Sequence, residues 1–323
     1  MSALLLSNLL TAAAEKKASD LHLCAQEMPL LRIDGELIPL DSNRLPDEVI
    51  TMLLAILSPE QQLKLNQGEE LDFTYKTDNQ LRARVNIYQQ QRGLSAAFRL
   101  ISEKIPTIEE LNLPEILETL CLEKHGLVLI TGPTGSGKSS SLAACIHQIN
   151  ITQTKHIITI EDPIEFIHVR EKSLITQREV HRDTLTFQHA LRSALRQDPD
   201  IIAIAELRDL ETIRLALTAA ETGHLVLATL HTASAVKTID RIVDVFPGNE
   251  KDMIRTMLSE SLLAIISQRL CQRPEGGRHA QFEILLTTPA IKHLIREHKP
   301  AQIYSAMQTG KSQGMRTFDT ARV

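Results

Sequence analysis

The sequence predicts an α/β protein in which a parallel sheet clothed in helices follows a small α+β unit. Three observations carry that expectation. Beyond about residue 115, short runs of Ile, Val and Leu alternate with helical stretches, the pattern of strands joined by crossovers. One of those runs leads through Gly132-Pro133-Thr134-Gly135-Ser136-Gly137-Lys138-Ser139 into a helix, the G-x-x-x-x-G-K-S order of a phosphate-cradling loop. Nearer the start, LRARVNIYQQ sets Arg82, Arg84, Asn86 and Tyr88 on one face and Leu81, Ala83, Val85 and Ile87 on the other. One face of a pleated sheet is therefore buried there.

The elements follow in order. MSALLLSNLLTAAAEKKASD lacks a basic start and is broken by polar residues, so it reads as an amphipathic helix over 3–17 and not as a signal peptide. Strands are expected over 20–24 and 29–39, two helices over 46–67, and strands over 70–76, 81–89 and 94–100. SEKIPTIEELNLP, with two prolines and several charges, reads as a linker over 102–114. It divides a first domain, 1–101, from a second, 115–323. The second opens with the strand GLVLITG and a helix from Lys138. HIITIED, a helix across FQHALRSALRQ, and DIIAIAE come next. A helix over 209–221, HLVLATLH, and helices over 235–243 and 249–262 complete the expected series.

Composition narrows the function. Hydrophobic residues make up 43% of the 323, charged residues 23% and aromatics 3%, an ordinary globular balance. A net charge of -5 supplies no cationic field for nucleic acid. The four cysteines form no Cys-x-x-Cys pair, which disfavours a zinc ribbon or a disulfide framework and fits a reducing cytoplasm. No apolar run reaches the length of a membrane span, so any membrane contact is expected to be peripheral.

The chemistry centres on the loop. Gly135 and Gly137 permit backbone geometries that turn N–H groups inward, and the helix starting near Lys138 adds its positive end. Lys138 then reaches the β and γ phosphates of a bound nucleotide, ATP or GTP, while Ser139 supplies an oxygen to Mg²⁺. In DIIAIAE, Ala205 stands where many P-loop enzymes place a metal-holding Asp. Metal holding therefore falls to Glu161 and Asp162, partly through water, leaving Glu206 free as general base. A carboxylate that merely caps the next helix is the alternative for Glu206, and Asp209 or Glu211 could fill that role equally. His224 and His231 flank HLVLATL, and a His at a strand tip can orient water or sense phosphate; either could also be structural. Arg192 and Arg196, four apart on one helix, could meet one anion together. Arg84 and Arg99, from the first domain, could act as fingers on phosphate, or any of the four could belong to a solvated face.

These residues, with ITIEDPIEF, AELRDLETIRLALTAAETGHLVLATLHT, IDRIVDVFP and AIKHLIRE, resemble the type II/type IV secretion superfamily of ATPases over most of the chain. Within it they are most similar to the PilT-like group that retracts type IV pili in twitching motility. The resemblance implies a PAS-like first domain, a RecA-like second domain and a homohexameric ring binding ATP and Mg²⁺ between the two domains. It places Glu161, Asp162 and Glu165 in an Asp box, Glu206 in the Walker B motif, and His224 and His231 in a His box. It extends the nucleotide contacts from the loop to Ser140 and His224, and makes Arg84, Arg99, Arg192 and Arg196 nucleotide-facing. AIKHLIRE matches the AIRNLIRE segment of retraction ATPases. The implied setting is cytoplasmic and peripheral to the inner membrane, with a pilus platform protein as partner and an assembly ATPase as a second.

The family usually has Gly at position 205 and Thr at 140, and relatives generally continue past Val323. Ser140 should matter little, but Ala205 and the shorter C-terminus motivate an alternative, a slowly hydrolysing regulatory paralogue. A further alternative is the same motor in a secretion system.

Overall fold

The computed structural model describes residues 2–40, 48–79, 81–101, 104–272 and 278–318. They group into two compact units, Met1–Lys104 and Ile105–Val323.

In the first unit, helix α1 (Ser2–Glu15) precedes strands β1 (Asp20–Cys24), β2 (Leu30–Ile33) and β3 (Glu36–Pro39). Helices α2 (Glu48–Ala55) and α3 (Pro59–Asn66) lead to β4 (Leu71–Lys76), β5 (Arg82–Gln90) and β6 (Gly93–Ile101). The six strands form an antiparallel sheet ordered β3-β2-β1-β6-β5-β4. Leu6, Leu9, Leu10 and Ala13 recur at helical spacing along α1 and are buried against Leu21, Leu23, Val85, Ile87 and Phe98. The alternation expected in β5 holds from Ala83 to Tyr88, with Ala83, Val85 and Ile87 buried while Arg84, Asn86 and Tyr88 are half-buried, but it fails before them: Arg82 is buried and Leu81 only half-buried. The single strand expected over 29–39 is a hairpin. Asp34 and Gly35 take φ of 50° and 93°, the left-handed pair that a tight two-residue turn requires. Positions 46 and 47 of the helical pair lie outside the described residues.

The second unit runs α4 (Ile116–Leu120), β7 (Gly126–Thr131), α5 (Lys138–Thr152), β8 (His156–Glu161), β9 (Leu174–Glu179), α6 (Phe187–Ala194) and β10 (Ile201–Ile204). It continues through α7 (Leu210–Glu221), β11 (Leu225–Leu230), α8 (Ala235–Asp244), α9 (Lys251–Ser261), β12 (Leu262–Gln272), β13 (Arg278–Leu286), α10 (Pro289–Arg296) and α11 (Pro300–Thr309). Seven strands lie in the order β13-β12-β7-β11-β10-β8-β9, parallel except for the antiparallel edge strand β13. Both faces are covered, and successive residues go to opposite cores. Leu127 and Leu129 of β7 join Ile213, Leu217, Ile242 and Ile254. Val128 and Ile130 join Leu142, Ile146 and Ile149 of α5. Each such side chain contributes about 1.5–3 kcal/mol relative to exposure, which is why these strands read as unbroken apolar runs.

Three expectations change here. The anticipated linker is not solvated throughout: Ile108 and Leu113 are buried in the α5-side core, their apolar side chains turned inward, while Glu109, Glu110 and Asn112 stay exposed and Pro106 and Pro114 are half-buried. The helix across FQHALRSALRQ stops at Ala194. Arg196 lies in a tightened turn, its N–H bonded to Ser193 O at 3.0 Å, so Arg192 and Arg196 do not share a helix face. Strands β9, β12 and β13 and helices α10 and α11 lie in segments that the periodicity left unassigned. Among the described residues no helix is long and apolar enough to cross a membrane.

Candidate functional site

The parallel order β7-β11-β10-β8 brings four strand ends to one sheet edge, so Gly132, His231, Glu206 and Glu161 arrive there from distant parts of the chain. Between β7 and α5 the backbone takes left-handed values at Gly132, Gly135 and Gly137, with φ of 151°, 76° and 90°. Gly132 is also fixed by space. A Cβ there would fall 2.2 Å from Gln268 O and 2.6 Å from Ser136 Oγ. Gly137 caps α5 without a side-chain acceptor, so the first helical N–H groups meet the loop as donors suited to an anion. Pro133, Thr134 and Gly135 are exposed, Ser136 is buried, Ser139 is exposed and Ser140 half-buried.

Lys138 is only 7% exposed and donates through Nζ to Gly132 O at 2.8 Å and Pro133 O at 2.9 Å. Burial lowers its pKa from the ordinary value, opposed by the carboxylates of Glu206 and Glu165. Its Nζ also lies 3.3 Å from His231 Nδ1. An ammonium can only donate, so Nδ1 is the acceptor and the neutral ring carries its proton on Nε2. That nitrogen is 3.2 Å from Glu206 Oε1. Thr134 Oγ1 approaches the same Nδ1 at 3.4 Å. The other oxygen of Glu206 accepts from Arg208 Nε at 2.9 Å, and Arg208 Nη1 lies 3.6 Å from Asp162 Oδ2. A continuous polar chain thus joins the loop lysine to a carboxylate that can take a proton, and on to Asp162.

Glu161 sits beside this chain. Its Oε1 accepts from Thr159 Oγ1 at 2.6 Å and Gln177 Nε2 at 3.0 Å, yet burial raises its pKa above the ordinary value. A half-buried carboxylate held by neutral donors suits a cation brought alongside it. Among the described residues no group of three or more His, Cys, Asp or Glu side chains is placed to hold a metal ion. The oxygen donors of exposed Ser139, Glu161 and Asp162 fit Mg²⁺ by their chemistry.

A family model described as "Type II/IV secretion system protein" matches residues 2–283. The chain belongs to the type II/IV secretion system protein family. It is 54% identical over 319 residues to the type IV pilus retractation ATPase PilT of Pseudomonas aeruginosa, covering 97% of this chain and 92% of that protein. It is 52% identical to a twitching motility protein of Neisseria gonorrhoeae, over 90% of this chain and 78% of the relative. The crystal structure of the pilus retraction motor PilT with bound ADP superposes with a TM-score of 0.89 at 44% identity, covering 98% of this chain and 95% of that one.

Within this secretion-family chain, His231 falls where the strand reading put it, and His224 does not reach the loop. Leu225 pairs with Gly126 and Leu230 with Thr131, so His224 is at the opposite edge of the sheet, about 20 Å from the loop at strand rise. Its Nδ1 is 3.0 Å from Ala219 O, a bond that tethers the end of α7. The nucleotide contact expected of His224 is therefore not made with the loop of its own chain. Arg192 pairs with Glu211, and Arg196 is exposed in its turn. In the first unit Arg84 and Arg99 stand directly opposite on β5 and β6. Arg84 Nη2 lies 2.6 Å from Asp72 Oδ2, and Arg99 Nε lies 3.0 Å from Asp20 Oδ1.

Sequence reasoning missed Gln268, Arg208, Thr159 and Gln177. Gln177 donates to Glu161 and to Phe166 O at 2.8 Å, while its own Oε1 accepts from His168 N at 2.8 Å, so it holds the segment after β8 against β9. The available signal for Gln268 was the pair Ser267-Gln268 interrupting the apolar run LLAII, a polar insertion that a buried strand tolerates only when it is bonded.

Proposed function

We propose that this protein is a P-loop ATPase that couples ATP hydrolysis to retraction, by disassembly, of a type IV pilus. The observation that carries this reading is the unbroken contact from Lys138 through His231 to Glu206. The loop N–H groups and Lys138 hold the β and γ phosphates. Ser139, Glu161 and Asp162 hold Mg²⁺, which when bound neutralises phosphate charge. Glu206 takes the proton of the attacking water, and His231, with Nε2–H aimed at the carboxylate, fixes its orientation. Arg84, Arg99, Arg192 and Arg196 are assigned to neutralising phosphate charge in an assembled homohexamer. The cytoplasmic face of the inner membrane, with a pilus platform protein and an assembly ATPase as partners, completes the reading.

The test is phosphate release by purified protein. Lys138→Ala should abolish nucleotide binding, whereas Glu206→Gln should bind nucleotide normally and stop hydrolysis. Hydrolysis that survives Glu206→Gln removes Glu206 from its role. Wild-type protein that binds ATP without turnover points instead to a regulatory paralogue. Gene deletion separates the settings, since a retraction motor leaves cells with more pili and without surface motility.

A further inference from the structure

Gln268 is a buried amide for which the hydrolytic chemistry above has no use. It is 3% exposed, one residue past the Ser267–Thr131 pairing of β12 with β7. Both ends of its side chain are engaged. Nε2 donates to Ser136 O inside the loop, and Oε1 accepts from Ser141 Oγ at 2.8 Å in the first turn of α5. The orientation is not ambiguous, because a carbonyl oxygen can only accept and so must face Nε2. The same residue walls two of the loop glycines. A Cβ at Gly132 would meet its backbone oxygen at 2.2 Å, and a Cβ at Gly137 would meet Nε2 at 2.8 Å.

The consequence follows from the planar trans peptide. The C=O of Ser136 and the N–H of Gly137 belong to one peptide group and point in opposite directions. Fixing Ser136 O toward β12 therefore turns Gly137 N–H away from β12. We propose that Gln268 is a positioning residue for nucleotide: by holding Ser136 O it aims the Gly137 amide at phosphate. This rests on the nucleotide reading given above and adds to it a residue from a strand on the far side of β7.

The two ends of the amide can be cut separately. Gln268→Glu keeps an acceptor for Ser141 but sets a carboxylate against Ser136 O, so the loop peptide is released. Ser141→Ala leaves the bond to Ser136 intact. Affinity for a fluorescent ADP analogue with Mg²⁺, KM and kcat for ATP, and thermal unfolding without nucleotide are the readouts. Gln268→Glu should weaken ADP binding and raise KM about tenfold, the size of one lost hydrogen bond, with kcat at saturation within about threefold. Ser141→Ala should leave binding within about threefold. Gln268→Asn, which shortens the reach to Ser136 while keeping the amide, should give an intermediate loss and serves if Gln268→Glu does not fold. Wild-type affinity in the folded Gln268 variants overturns the proposal, as does an equal loss in Ser141→Ala, which would mean that the amide only packs. Failure of the wild-type protein itself to bind the ADP analogue overturns the nucleotide reading instead.

Discussion

His231 Nε2 lies 3.2 Å from Glu206 Oε1, and the opposite ring nitrogen faces Lys138 Nζ at 3.3 Å. One imidazole thus spans the phosphate-binding and the proton-accepting halves of the site, and it is polarised in one sense only, since the lysine can act only as donor. Replacing His231 with Ala should lower phosphate release at saturating ATP by about 100-fold or more. Affinity for ADP should remain within about threefold, because the loop N–H groups and Lys138 are untouched. A single-turnover assay beside equilibrium binding separates the two effects, and matched losses would place His231 in binding alone.

The Cβ of Gly132→Ala meets the backbone oxygen of Gln268 at 2.2 Å as well as Ser136 Oγ at 2.6 Å, with φ in the left-handed region. Either the loop or β12 must move. Unfolding stability should fall by about 2 kcal/mol or more, and nucleotide binding should be lost. Gly135→Ala is the control: its φ is 76° but nothing lies within 4 Å, so the change should be about 1–2 kcal/mol from backbone strain alone. Urea denaturation with matched binding curves checks both.

His168 is buried, and burial, with a smaller contribution from the charge of His147, lowers its pKa from 6.5 to about 4. A base depressed in the folded state stabilises the protein above its unfolded pKa and loses that contribution as pH falls toward the folded one. Stability should therefore decline between pH 6.5 and 4, by about 2 kcal/mol on going from pH 7 to 5. His168→Leu should remove that component. Denaturation midpoints of both proteins across this range provide the check, and parallel pH profiles would assign the acid sensitivity elsewhere.

Arg84 and Arg99 face each other across adjacent strands, a like-charge pair that a sheet alone does not favour. Their acidic contacts, with Asp72 and Asp20, are well exposed on the arginine side, so Arg84→Ala or Arg99→Ala should shift stability by no more than about 1 kcal/mol. In the homohexamer proposed above each should nevertheless lower turnover, by about tenfold or more. Kinetics equal to the wild type would confine both arginines to the surface of their own sheet.

Legibility in the sequence followed burial. Strands β7, β10 and β11 are covered on both faces and declared themselves as apolar runs, and the glycines of the loop marked it because no other residue takes those φ values cheaply. Glu206 and Glu161 were readable as carboxylates at strand ends. What stayed hidden depends on register: His224 and His231 flank one strand alike in sequence, and only the parallel pairing of Leu225 with Gly126 separates the end that meets the loop from the end that does not. Strand β12 was hidden for another reason. Ser267 and Gln268 are polar because they bond to Thr131, Ser136 and Ser141, residues more than a hundred positions earlier, and no local pattern announces such partners.

The strand order has a bearing on how the protein is made. β7 is among the first elements of the second unit to leave the ribosome, yet its two neighbours are β11 and β12, which emerge roughly one hundred and more residues later. Its flanks remain open through most of synthesis, and such non-local pairing makes folding slow and exposes apolar edges meanwhile. The phosphate loop, present early, acquires the Gln268 amide only after β12 docks, so competence to bind nucleotide should arise late and all at once.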